Sequence, residues 1–178
     1  GIAIMLASYA VGGISGAHIN PAITLALAAW GRFVWRDVPG YLGGQLVGAV
    51  LAGLVLYALF HPMLEEKEFI KNVQRGKPGS EITAMCYGEY YPSPGKLGSG
   101  AGFYDPAEAL QHSTLVTQPM ALLAEFLGTA ILALMMFALT DERNPAAPQA
   151  RLGPVFIGLT VAILICVIAP LTQACFNP

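Results

Sequence analysis

Charge is what this sequence has least of. Only 11% of its 178 residues are Asp, Glu, Lys or Arg, against about 25% in an ordinary soluble domain. Too few charges remain to coat a soluble surface. The formal net charge of −2 offers no basic patch, which argues against a nucleic-acid partner. Cysteine is scarce too. Cys86, Cys166 and Cys175 are odd in number and lack metal-ligand spacing, so neither a disulfide framework nor a metal site is indicated. No cofactor is expected. The first apolar stretch has no basic region ahead of it, so it does not read as a signal peptide.

What is present is apolar. Hydrophobic residues make up 55% of the chain, with 20 glycines and a mean hydropathy of +0.59. Glycine is more frequent in transmembrane helices than in soluble ones. Residues 1–12 read as the end of a span, and 38–60, 119–140 and 152–169 as full spans, near the 20 or so residues a bilayer needs. In the first full span Gly40, Gly44, Gly48 and Ala52 recur every four residues. Small residues so spaced let helix backbones approach in lipid.

Polar stretches divide the spans. The longest, 61–118, holds Pro and Gly clusters, and Glu65 to Val73 could form a short helix there. Asp105-Pro106-Ala107-Glu108 reads as an N-cap, a helix start and a capping-box Glu for a surface helix ending near His112. Lys and Arg are dense in the short loops 32–37 and 141–151, so these are expected to be cytoplasmic and 61–118 external. Asn144-Pro145-Ala146 sits in a polar loop and reads as a turn.

The stretch Ser15-Gly16-Ala17-His18-Ile19-Asn20-Pro21-Ala22 opens a short helix within 13–31. Asn is a favoured N-cap, and Pro suits the first helical position. The apolar run behind them, ending at Trp30, is only half of a span. The same pattern returns at 170–178. Ile14-Ser15 matches Leu171-Thr172, Ala17 matches Ala174, and Asn20-Pro21 matches Asn177-Pro178, at a constant separation of 157 residues (177 minus 20). Three crossings lie between the copies, so the repeats are inverted. Inverted repeats with broken helices place a site near the bilayer midplane. By the same offset a glutamate span would precede residue 1 and a second half-helix would follow Pro178. The chain therefore reads as truncated at both ends.

These residues resemble the major intrinsic protein family, the aquaporins and glycerol facilitators. The resemblance rests on Ser15 to Ala22, on Ala124-Glu125-Phe126-Leu127-Gly128-Thr129 and on Asn177-Pro178. It implies an all-α fold: a polytopic transmembrane bundle with an inverted repeat and two midplane half-helices starting at Pro21 and Pro178, incomplete in this chain. Residues 1–178 would form one membrane channel domain. The resemblance further implies a homotetramer in the plasma membrane, with one pore per subunit for small neutral solutes. Asn20 and Asn177 would donate to the solute. Carbonyls of Gly16, Ala17, His18, Gln173, Ala174 and Cys175 would accept from it. Glu125 would anchor the second loop. Ile165 and Ala174 would contribute an apolar, wide selectivity filter, similar to glycerol facilitators and to plant nodulin-like members that pass glycerol and metalloid acids. Gln173 stands where the family often has glycine.

Other readings remain open from the residues alone. A water-selective aquaporin is one. An ion channel or coupled transporter is another, though Glu125 is the single acid within a span. Gly13-Ile14-Ser15-Gly16 also fits an intramembrane serine protease, which would need a histidine base. An enzyme is not expected, because solute passage needs no nucleophile.

Overall fold

A computed structural model describes residues 1–95 and 102–178. Residues 96–101 of the long polar connection lie outside the described residues. Among the described residues the chain is helical, without strands. The helices are α1 (Ile2–Ser15), α2 (Pro21–Ala29), α3 (Val38–Lys71), α4 (Glu81–Ala84), α5 (Pro106–Leu115), α6 (Gln118–Thr140) and α7 (Gly153–Thr172). Three of them, α3, α6 and α7, are long and apolar enough to cross a membrane. Together they give the all-α bundle expected, partial in this chain.

Helix α7 is central, packing against both α1 and α6, while α2 packs on α3 and α6. The core joins Ile23 of α2, Ala124 and Leu132 of α6, and Val161, Leu164 and Ile168 of α7. Ala174 and Phe176 from the loop after α7 are part of it. Many other large apolar side chains on these helices are exposed, among them Leu46, Val50, Leu54, Leu122, Phe126 and Ile163, as suits contact with lipid.

Several boundaries differ from the sequence expectation. The span expected over 38–60 continues to Lys71, through Pro62. A proline inside a helix removes one hydrogen bond and kinks it, but need not end it. Here the extra turns are held by residues beyond the helix end. Glu68 accepts both Nε and Nη2 of Arg75 at 3.1 Å and the Thr83 hydroxyl at 2.8 Å. At about 1.5 Å per residue the 34 residues of α3 reach about 50 Å. The hydrocarbon core is about 30 Å thick, so the Glu68 end projects beyond it. The long connection is therefore 72–117 rather than 61–118, and Glu65 to Val73 is no separate helix. Helix α1 likewise runs past residue 12 to Ser15. Helix α7 continues through Pro170, so the second loop starts at Gln173, not at 170.

The four-residue stripe also behaves differently. A Cβ built on Gly40, Gly44 or Gly48 meets nothing within 4 Å. No described element packs on that face. Close approach occurs instead between α1 and α7. There a Cβ on Gly1 would lie 2.7 Å from Ala162 Cβ, and one on Gly158 2.8 Å from Met5 Cβ. Gly1 and Met5 are the repeat mates of Gly158 and Ala162, so this contact maps onto itself under the repeat.

Two local expectations agree with the structure. Asp105 caps α5, its carboxylate accepting Ala107 N–H at 2.8 Å, although the helix runs on to Leu115. Asn144 forms a turn: its Oδ1 accepts Ala146 N–H at 3.1 Å, and its Nδ2 donates to Ala138 O at 2.9 Å.

Candidate functional site

Helices α1 and α7 both end in left-handed residues, Gly16 at φ 73° and Gln173 at φ 67°. The repeat then holds torsion by torsion. Ala17 (50°) and Ala174 (65°) are left-handed, and so are Ile19 (52°) and Phe176 (51°). L-residues rarely take such angles, and they persist only when the surroundings over-determine them. Each loop is therefore a strained path that something must hold.

Glu125 of α6 holds the second loop. Its carboxylate accepts the Thr172 hydroxyl, Cys175 N–H at 3.2 Å and Phe176 N–H at 2.7 Å. The Thr172 oxygen in turn accepts Ala174 N–H at 3.3 Å. Gly128, one turn further along α6, leaves room for the buried Phe176 ring.

The first loop is held from α2 and α3. Ser15 Oγ accepts Ala17 N–H at 3.3 Å, repeating the Thr172 contact. Tyr41 donates its hydroxyl to Ser15 O at 3.0 Å. Thr24, fully buried, donates to Asn20 O at 3.0 Å. The same hydroxyl accepts Gln45 Nε2 at 2.9 Å and faces His18 Nδ1 at 3.2 Å. The His18 ring lies against Phe33 and Tyr41. The motif drew attention to Asn20 and His18 but not to Thr24, Tyr41 or Gln45. Their only sequence signal was polarity on apolar helices.

The two loops meet. Asn20 Oδ1 caps α2, accepting Ala22 N–H at 2.8 Å and Ile23 N–H at 3.4 Å. Its Nδ2 donates across to Phe176 O. Asn177 Nδ2 donates back to Ile19 O at 3.0 Å. Donor and acceptor exchange under the repeat, so the crossed pair marks a local two-fold axis. Each amide nitrogen carries two N–H groups, and the crossed bond uses one.

Beside this crossing lies a cavity of about 1130 Å³. Gly16, Ala17, His18, Asn20, Ala174, Cys175, Asn177 and Ile165 all line it. Gln173 does not; its side chain turns outward to accept Tyr90 N–H at 2.9 Å. Pro21 opens α2 at the cavity. Pro178, directly after Asn177, is the last residue of the sequence. At the other end Arg32 and Asp141 pair at 2.9 Å, with Arg32 over the Phe137 ring. Hydrogen bonds from Arg143 hold the Asp141 carboxyl well below the usual range.

Ser15 donates its hydroxyl to Val11 O at 3.3 Å, and His18 faces Thr24 rather than Ser15. Among the described residues no cluster of three metal-ligating side chains occurs. The cavity lining joins apolar side chains such as Ile23, Leu132 and Val161 to the polar His18, Asn20 and Asn177, with Arg32, Asp141 and Arg143 at one end.

Comparison with known proteins gives a consistent result. The family model described as major intrinsic protein matches residues 1–178. The chain is similar to a glycerol uptake facilitator protein of Haemophilus influenzae, 34% identical over 100% of this chain and 59% of that protein. It is 36% identical to the propanediol uptake facilitator of Citrobacter freundii, over 100% of this chain and 58% of the other. An aquaporin of Laccaria bicolor is 34% identical over 91% of this chain and 53% of its own length. The chain thus spans a little over half the length of these relatives.

Proposed function

The chain belongs to the major intrinsic protein family, and from that membership we propose that the whole protein is a passive channel for small neutral solutes, glycerol and similar polyols first among them. The observation that carries the proposal is the crossing of the two loops beside a cavity that both line. Channels in this family need no catalytic group. The remaining N–H groups of Asn20 and Asn177 donate to a hydroxyl or a water at the crossing. The carbonyls of Gly16, Ala17 and His18, and of Ala174 and Cys175, accept from it. The N-terminus of α2, with about half a positive charge, repels cations and protons there while a neutral solute passes. Glu125 and its partners keep the second loop on this path. Gln173, expected to add a carbonyl, stands outside the cavity lining and is left out of this ladder.

Ile165 and Ala174 give the passage an apolar wall and leave it wide, which favours glycerol over water alone. The names of the bacterial relatives, facilitators of glycerol and propanediol uptake, support the same solute class. The protein is integral to a membrane. We place it in the plasma membrane as a homotetramer, with 32–37 and 141–151 cytoplasmic and the long connection outside.

Vesicles carrying the whole protein should take up glycerol at least about tenfold faster than empty ones, by light scattering. Water flux without glycerol flux would refute the polyol reading in favour of a water-selective pore. Ile165→His, which adds bulk and a donor to the wall, is expected to cut glycerol flux by about tenfold and water flux far less. Current carried along with the solute would point to an ion pathway instead.

Cys175 tests the path from another side. Its thiol donates to Asn177 O at 3.0 Å and lines the main cavity. A mercurial should block flux, and Cys175→Ser should protect. Undiminished flux after complete labelling would place the thiol off the pathway.

A further inference from the structure

The long connection does not simply loop through solvent. Residues 90–93 run along the end of α7 and onto the second loop. Ser93 N–H donates to Leu171 O at 3.0 Å, and Tyr90 N–H donates to Gln173 Oε1 at 2.9 Å. Behind this strap lies a small cavity of about 190 Å³. Glu89, Tyr90 and Tyr91 form its outer wall, and Glu125, Thr172 and Cys175 its inner one. Glu125 and Thr172 hold the strained loop. Cys175 lines this cavity and the main one alike. The strap is thus a second layer on the outer flank of the pore loop.

Gln173 is an unexpected residue for its backbone. Its φ of 67° is left-handed, and its repeat mate Gly16 has 73° at the matching place. Glycine takes such angles at no steric cost. Glutamine does not, so the side chain must return something. Among the described residues, its side chain's hydrogen bond to another segment goes to the strap. The other fastening, at Leu171, is main chain to main chain and would survive a change at 173.

We propose that Gln173 is a positioning residue that ties the outer connection to the second pore loop, so that residues 89–93 wall the loop's outer flank and set solute access to it. The access role rests on the channel reading above; the tether does not.

Gln173→Gly and Gln173→Glu in the whole protein, reconstituted in vesicles, test both. Gly keeps the backbone angle and deletes the acceptor. Its melting temperature should hold or rise, since the strain is relieved. Exchange of the Tyr90 amide hydrogen should quicken by about tenfold or more. The glycerol-to-water permeability ratio should shift by about threefold or more. Glu keeps an acceptor oxygen at the same reach and should stay within about twofold of the parent on both readouts. Unchanged Tyr90 exchange in the Gly variant would overturn the tether. Faster exchange with an unchanged ratio would overturn the access role. A Glu variant that behaves like Gly would overturn the acceptor as its cause. If the parent passes neither solute, the channel reading and the access role fall together, and Tyr90 exchange still decides the tether.

Discussion

Glu125→Ala is expected to abolish glycerol flux, lowering it by about a hundredfold or more. The carboxylate accepts three donors, the Thr172 hydroxyl and the amides of Cys175 and Phe176. Alanine strands two N–H groups on a loop that is already left-handed at Gln173, Ala174 and Phe176. Leaving a buried donor unpaired costs about 1–3 kcal/mol, so with two stranded the loop should lose on the order of 2–6 kcal/mol. It would then relax toward ordinary torsions, and its carbonyls would leave the cavity wall. Glu125→Gln separates shape from chemistry. The amide keeps one acceptor oxygen but turns an NH2 toward an N–H donor, so an intermediate loss of about tenfold is expected. Flux in vesicles, read beside a melting curve, decides the matter. An alanine variant with parental flux would end the anchor assignment.

Gly128→Ala should be nearly as damaging, by a different route. A Cβ at Gly128 would sit 2.0 Å from Phe176 Cε1, with two more ring atoms within 2.8 Å. The ring has nowhere to go. It is buried, and its backbone is fastened to Glu125 and to Asn20. Overpacking of this kind costs about 1–3 kcal/mol or more. The displaced ring carries Phe176 O, the acceptor of the crossed bond, along with it. Glycerol flux should fall by about tenfold or more. The rescue is specific: Phe176→Leu in the Gly128→Ala background removes the clashing ring atoms and should recover much of the loss. If the double variant melts no higher than Gly128→Ala alone, the clash is not the cause.

Both predictions concern residues that the sequence singled out for other reasons or in passing. Glu125 was conspicuous as an acid inside an apolar run, and its role followed from resemblance. Gly128 stood in the same motif with no stated task. The glycines that did draw notice, Gly40, Gly44 and Gly48, meet no neighbour among the described residues. Spacing alone says that a face is smooth, not that anything lies on it. The helix ends expected at residues 60 and 169 fall short in a similar way. Both helices continue, because later segments hold the turns beyond: Arg75 and Thr83 at Glu68, and Ser93 at Leu171.

The sequence by itself determined what is local or periodic. Apolar runs of span length make α3, α6 and α7. Asn20-Pro21 and Asp105-Pro106 start helices, because a cap and a proline act within one turn. The constant offset of 157 residues (177 minus 20) revealed two copies of one loop, and the inverted sense followed from counting crossings. Only the tertiary structure decided how the copies meet. The crossed Asn20 and Asn177 amides, the Thr24 hub with Gln45 and Tyr41, and the Phe176 ring against Gly128 join residues from separate helices. So does the tie from Gln173 to Tyr90. Such contacts depend on where packing brings each backbone, and no pattern along the chain encodes that placement one residue at a time.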